Sequence, residues 1–157
     1  MCGGDALSAP PRRTVSVGAV VVDGTNRVLL IQPTSMRGKA LPGCRVRARE
    51  LPEVALRRGV RQATGLDVRP ERLLLVDVMP EADTPEEYVF VFGCGSDGQA
   101  TSILIDTSAY RDFAWVAERD VAAHTEPYQE RRIRAALRVH EAKPDAVPYL
   151  IRGKPAL

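Results

Sequence analysis

Between Arg45 and Arg61 the chain carries six arginines (45, 47, 49, 57, 58 and 61) against two glutamates, Glu50 and Glu53. That is a local charge of +4 in a chain whose formal total is +2. Guanidinium groups grip phosphate or carboxylate through paired N–H donors and need no metal ion to do so. The segment therefore has the means to build a metal-free anion pocket, set against the ordinary alternative that charged side chains stay solvated. Cys44 stands at its head. A thiol turns nucleophilic when a base or a cationic field lowers its pKa. The arginines supply a field, but no histidine lies nearby, so Cys44 is expected in a pocket wall rather than as a nucleophile. Carboxylates gather elsewhere. The loop Met79–Glu87 holds Glu81, Asp83, Glu86 and Glu87, and Glu118 follows the segment around Trp115. Such acids serve as general bases or as ligands to a displaced metal; the plain readings are solvated loop surface and a first-turn helix acid. His124 and His140 are the only histidines, and they lack metal-ligand spacing. His140 is expected to pack, and His124 to lie near a pocket mouth.

Elements must position these groups. Residues 1–13 read as a flexible leader. Thr14 to Val22 is continuous and β-branched, the mark of a buried strand. Asp23 to Asn26 is a turn, and Arg27 to Gln32 returns, so a β-hairpin is expected. Pro33 to Pro42 is a loop. Residues 51–65 suit a helix, with Leu56, Val60 and Ala63 on one face, Pro52 in its first turn and Gly65 at its end. Leu51 is a poor cap for it. Strands resume at Leu66 to Val78, Tyr88 to Gly93 and Phe113 to Val116. A second helix is expected from about Pro127 to Ala142, with Ile133, Ala136, Leu137 and His140 inward and Arg131, Arg134 and Arg138 in water. Residues 143–157 hold three prolines and cannot form one helix. The order gives an α/β fold, a mixed sheet between helices, with one domain over 14–142 and a C-terminal tail over 143–157.

Composition narrows the function classes. A chain of 157 residues suits one domain. A net charge of +2, no long basic run and no aromatic platform argue against nucleic acid. No apolar stretch reaches membrane-spanning length, and Met1 to Pro11 lacks the apolar middle of a secretion signal. Three cysteines without metal spacing read as reduced thiols of a cytoplasmic protein. A homodimer is plausible, because Val147, Tyr149, Leu150 and Ile151 form an apolar cluster in the tail that needs cover. That cluster would serve equally by packing on its own domain.

Leu41 to Leu66 reads LPGCRVRARELPEVALRRGVRQATGL. This resembles the Nudix box of nucleoside-diphosphate-linked hydrolases, LPGG-x-V-E-x-G-E, about seven residues, then R-E-x-x-E-E-x-G and an apolar residue. The alignment needs no gap. Leu41, Pro42, Gly43, Val46, Glu50, Pro52, Glu53, Ala55, Leu56, Arg58, Thr64, Gly65 and Leu66 match. The TVSVGAVVV strand before the box and Phe113–Val116 after it also look like family elements, so the likeness covers roughly residues 14–140. It implies a Nudix-type α/β/α sandwich and Glu50–Arg58 as the ion pair anchoring loop to helix.

The box glutamates of that family hold magnesium against a diphosphate, from helix positions that share one face. Here those positions are Gly59, Gln62 and Ala63. No box metal site is expected, and magnesium would bind only outside the box. Gly59 reads as drift after a glutamate became useless, in preference to a clearing for ligand. Arg47 stands where the family usually has glutamate, and Ala40 where it usually has tryptophan. The resemblance puts Arg45 and Arg47 beside the catalytic face, with Gln62, Cys44 and Tyr88 as further ligand contacts. It puts Glu86, Glu87 and Glu118 where a catalytic carboxylate could stand. The expectation is a divergent family member acting on a nucleotide-linked or other phosphorylated or anionic small molecule. A non-catalytic binding or regulatory protein and a non-hydrolytic isomerase or cyclase are the alternatives, because function lives in the site rather than the fold.

Overall fold

The structure is a computed structural model that describes residues 12–80, 86–96 and 102–156. The expected leader falls largely on residues 1–11, and Glu81 and Asp83 of the acidic loop also lie outside the described residues.

Apolar alternation along the first strands divides the core in two. In β1 (Arg13–Val20) successive side chains point to opposite faces. Val17 and Ala19, with Val21, join Leu29 in a cluster with Ala55, Leu56 and Val60 of α1 (Pro52–Thr64). Val20 joins Leu30 in a cluster with Ile133, Ala136 and Val139 of α3 (Pro127–Ala142). Each buried Val, Leu or Ile contributes about 1.5–3 kcal/mol. Helix, sheet and helix therefore stack as expected.

Among the described residues the main sheet has six strands in the order β3 (Gly43–Arg45), β1, β5 (Glu86–Ser96), β4 (Val68–Met79), β7 (Tyr149–Ile151) and β8 (Lys154–Pro155). It is mixed: β1 runs parallel to β5 and β4 to β7, and the other pairs are antiparallel. A separate two-stranded sheet pairs β2 (Val28–Pro33) with β6 (Tyr110–Val116). A 3-10 turn at Glu118–Asp120 and the short α2 (Val121–His124) lead into α3.

The expected hairpin is corrected. The turn forms, with the Asp23 carboxylate accepting the backbone N–H of Thr25 and Arg27 at 2.9 Å each. Beyond the Val22–Val28 bridge, however, β1 and β2 part into different sheets. Val28 to Ile31 are all buried, without alternation. Such a strand needs cover on both faces, and its sequence leaves the pairing partner open.

Both helix boundaries agree with the expectation to within a residue. Pro52 opens α1, no side chain caps Leu51, and Gly65 closes the helix in the left-handed region at φ 75. Residues 143–156 are not a tail apart. Leu150 is buried, and β7 aligns Val76 with Tyr149 and Val78 with Ile151. Val147, Tyr149 and Ile151 face outward.

Candidate functional site

A cavity of about 410 Å³ lies where the two sheets meet the first turns of α3. Gly18, Gly43 and Val89 of the main sheet, Ile31 and Tyr110 of the smaller one, and Tyr128, Gln129 and Arg132 of α3 line it. Apolar walls with a few placed polar groups are the usual character of a small-molecule site. Among the described residues Glu87 is the one carboxylate on the wall, and the Ser16 hydroxyl donates to its Oε1 at 2.5 Å.

Arg132 is 6% exposed and Asp77 fully buried. Arg132 Nε donates to Asp77 Oδ2 at 2.7 Å, and Nη1 donates to Gln129 Oε1 at 3.4 Å. The other Asp77 oxygen accepts the Gly153 N–H at 3.0 Å. The guanidinium lies over the Tyr128 ring, 5.6 Å from its centre. Arg132 Nη2 is buried with no hydrogen-bond partner among the described residues. Burial pushes the Tyr110 hydroxyl pKa up.

On the far side of β3, the chain meets α1 closely. Cys44 Sγ donates to the Ala55 carbonyl at 3.1 Å. A Cβ at Gly59 would stand 2.6 Å from that sulfur, 2.8 Å from Cys44 Cβ and 3.0 Å from the carbonyl carbon of Gly43. Glycine at 59 is therefore the complement of cysteine at 44, which corrects the reading of Gly59 as drift. Burial foremost raises the Cys44 pKa, with Glu50 adding to it and Arg58 and Arg47 opposing it.

The loop before α1 is tied to it by one ion pair. Arg58 donates to both Glu50 oxygens, Nε at 2.8 Å and Nη2 at 2.9 Å, and Nη2 also reaches the Arg45 carbonyl at 3.0 Å. The Arg47 N–H adds a bond to Glu50 at 2.8 Å. The Arg58 bonds foremost, then the Arg47 N–H, hold the Glu50 carboxyl down at about 2 against an ordinary 4.5. A depressed pKa means stability that is whole above the unfolded value and is lost as pH falls towards the folded one. In urea melts, the stability difference between wild type and Glu50→Gln is expected to be full above about pH 4.5 and to shrink as pH falls towards 2. A difference constant over that window would contradict the anchoring role.

A family model for the NUDIX domain matches residues 12–137. The chain belongs to the NUDIX family. Among curated proteins no relative matches. Solved structures of the same fold include a MutT protein from Methanosarcina mazei Go1, at 18% identity and TM-score 0.70 over 88% of this chain and 100% of that one. A UDP-X diphosphatase aligns at 19% and 0.73 over 93% and 70%. A MutT NUDIX hydrolase from Burkholderia pseudomallei aligns at 22% and 0.63 over 81% and 97%. At such identities the likeness is one of fold.

Within this NUDIX domain, the residues singled out from sequence separate. Glu87 lines the cavity; Glu86 does not, and pairs with Arg13 at 2.8 Å. Strand alternation turns Tyr88 away, where Arg13 lies over its ring at 5.7 Å. Glu118 is not brought to the cavity: it borders a surface depression with Thr25, Asn26 and Arg134. Cys44 faces α1, although its neighbour Gly43 lines the cavity. Gln62 is exposed and accepts from Arg58 Nη1 at 3.5 Å. The arginines divide too. Arg57 and Arg61 pair with Asp67 at 3.2 and 3.0 Å and Arg58 holds Glu50, while Arg45, Arg47 and Arg49 are exposed. His140 packs its Nδ1 against Gly93, and the His124 carbonyl accepts the Lys39 N–H at 2.7 Å.

The magnesium that a NUDIX box implies wants hard oxygen ligands. Gly59, Gln62 and Ala63 offer one neutral amide and no carboxylate, and the sulfur of Cys44 fills the space beside Gly59. Glu50 is already taken up by Arg58 and the Arg47 N–H. This set does not fit the ion. Among the described residues, no three His, Cys, Asp or Glu side chains stand together as metal ligands. No described helix is long and apolar enough to cross a membrane.

Sequence reading missed Asp77, Gln129, Arg132 and the two cavity tyrosines, 110 and 128. A signal for Gln129 and Arg132 was present. They continue the stripe of Ile133, Ala136 and Val139 at helical spacing, so an amide and a guanidinium sit on the inward face of α3.

Proposed function

We propose that this NUDIX domain takes a nucleotide-linked or other phosphorylated small molecule in the cavity under α3 and handles it without a divalent ion seated on α1. The observation that carries the reading is the interlock of Cys44 with Gly59, where a side chain at 59 would stand 2.6 Å from sulfur. A helix face closed in this way has no room for a carboxylate at that position. Phosphate charge then falls to the exposed arginines of the loop after β3, Arg45 and Arg47, which bind oxyanions directly.

Glu87 supports a catalytic rather than a purely binding role. It is the one carboxylate among the described wall residues, held by Ser16, and a carboxylate within reach of a bound ligand can take or return a proton. The experiment is a titration with a nucleoside diphosphate in magnesium and again in EDTA. Equal affinity is expected. Binding that disappears on chelation would overturn the proposal.

A further inference from the structure

Arg132, on the wall of the cavity, carries a hydrogen-bond donor that no described residue uses. Nε and Nη1 of Arg132 are engaged by Asp77 and Gln129, but the buried Nη2 has no partner among the described residues. Leaving a buried charged donor unpaired is expensive, and such a group calls for an explanation. Arg132 is also a wall of the cavity, so a bound molecule can supply the missing acceptor.

Charge decides what kind of acceptor. Arg132 and Asp77 form a 2.7 Å ion pair whose formal charges cancel, and the remaining charged group among the described wall residues, Glu87, is an acid. A phosphate or carboxylate placed beside Nη2 would put a second anion against a pair already neutral, in a low-dielectric pocket. Burying a charge without a counter-charge costs far more than burying a neutral oxygen that receives a hydrogen bond. Gln129 adds to the selection. Its Oε1 is turned to Arg132, which leaves its amide NH2 as a second donor on the same wall. Tyr110 and Tyr128 line the walls as well and suit a planar ring.

We propose that Arg132 is a specificity-determining residue, and that the part of the cavity it lines selects a neutral ring carbonyl, of the lactam or imide kind, while any phosphate lies away from it. This rests on the reading of the cavity as the ligand site.

The test uses the full-length protein and two pairs of probes. The first pair is 2-pyrrolidone, a neutral lactam, and acetate, an anion of similar reach. Each is titrated while the side-chain ¹⁵N signal of Arg132 is followed. The lactam is expected to move that signal and acetate to leave it in place. The second pair is inosine diphosphate and adenosine diphosphate, which carry the same phosphates and differ in a ring carbonyl against an amino group. The inosine compound is expected to bind about tenfold more tightly, the usual scale for one buried donor satisfied or left unpaired. In Asp77→Asn/Arg132→Gln, which removes both charges at nearly constant volume, the ratio is expected to fall to about twofold or less. The wild-type titrations decide the matter even if that double variant does not fold. Equal affinity for the two diphosphates, or a stronger response of Arg132 to acetate than to the lactam, overturns the proposal. If neither diphosphate binds but the lactam still moves Arg132, carbonyl selection stands and the reading of a phosphorylated ligand falls.

Discussion

Truncating Asp77 to alanine is expected to destabilise the fold by about 3–5 kcal/mol, the cost of stripping the partner from a buried charge. Asp77 is fully buried and Arg132 is 6% exposed, so the pair is made away from bulk water. Two groups are orphaned at once. The guanidinium loses its 2.7 Å bond, and the Gly153 N–H loses its acceptor. The second loss reaches beyond the cavity, because Gly153 forms the turn between β7 and β8, and the neighbouring Arg152 carbonyl is held by Arg131 at 3.0–3.1 Å. Urea unfolding gives the number. The neutral pair Asp77→Asn/Arg132→Gln is expected to lose much less, since it orphans no charge. A loss below about 1 kcal/mol for the alanine variant would mean that the pair is hydrated and far weaker than its burial implies.

Gly59→Ala is expected to destabilise by about 2 kcal/mol, against the roughly 1 kcal/mol gain that alanine brings to a helix interior. The added methyl would meet Cys44 at 2.6–2.8 Å, closer than a packed side chain tolerates, and the sulfur is held in place by the Ala55 carbonyl. In a Cys44→Gly background the two shortest of these contacts, to the sulfur and its Cβ, are gone, and the one to the Gly43 carbonyl carbon at 3.0 Å remains. The same substitution should then cost less than about 1 kcal/mol. A coupling of at least about 1 kcal/mol between the two sites, measured as a double-mutant cycle by thermal or urea unfolding, is the expected result. Additive effects would show that Gly59 and Cys44 ended up side by side without depending on one another.

The fold was largely legible because its signals are local. Helical spacing of Leu56, Val60 and Ala63, the terminal Pro52 and Gly65, and the β-branched run from Thr14 each point to one structure. The family resemblance on residues 41–66 gave the arrangement of those parts. Pairing was less legible. β2 is apolar on both faces, so its pattern could not show that it leaves β1 for β6. The C-terminal strands are two and three residues long, too short for a period to register.

The site was legible in part. Glu87 was named from sequence and lines the cavity, but Tyr88 one residue on and Cys44 one residue after Gly43 point away from it. A one-residue offset in a strand reverses the face, and no sequence pattern here fixed the face. Glu118 and Gln62 were placed by likeness to a motif; the structure puts one at a surface depression and the other on the outside of α1. Arg132 was passed over because an arginine in a helix reads as solvent-facing. Its burial depends on Asp77, 55 residues away in sequence, and such a pairing leaves no local trace.

Ligand handling by this domain is expected to need no metal on α1. Calorimetric titration of the protein with inosine diphosphate, once with excess magnesium and once with excess EDTA, measures this directly when phosphate release is followed in the same samples. Affinity and any turnover are expected to be the same in both. Binding or phosphate release that requires magnesium and is abolished by the chelator would contradict it.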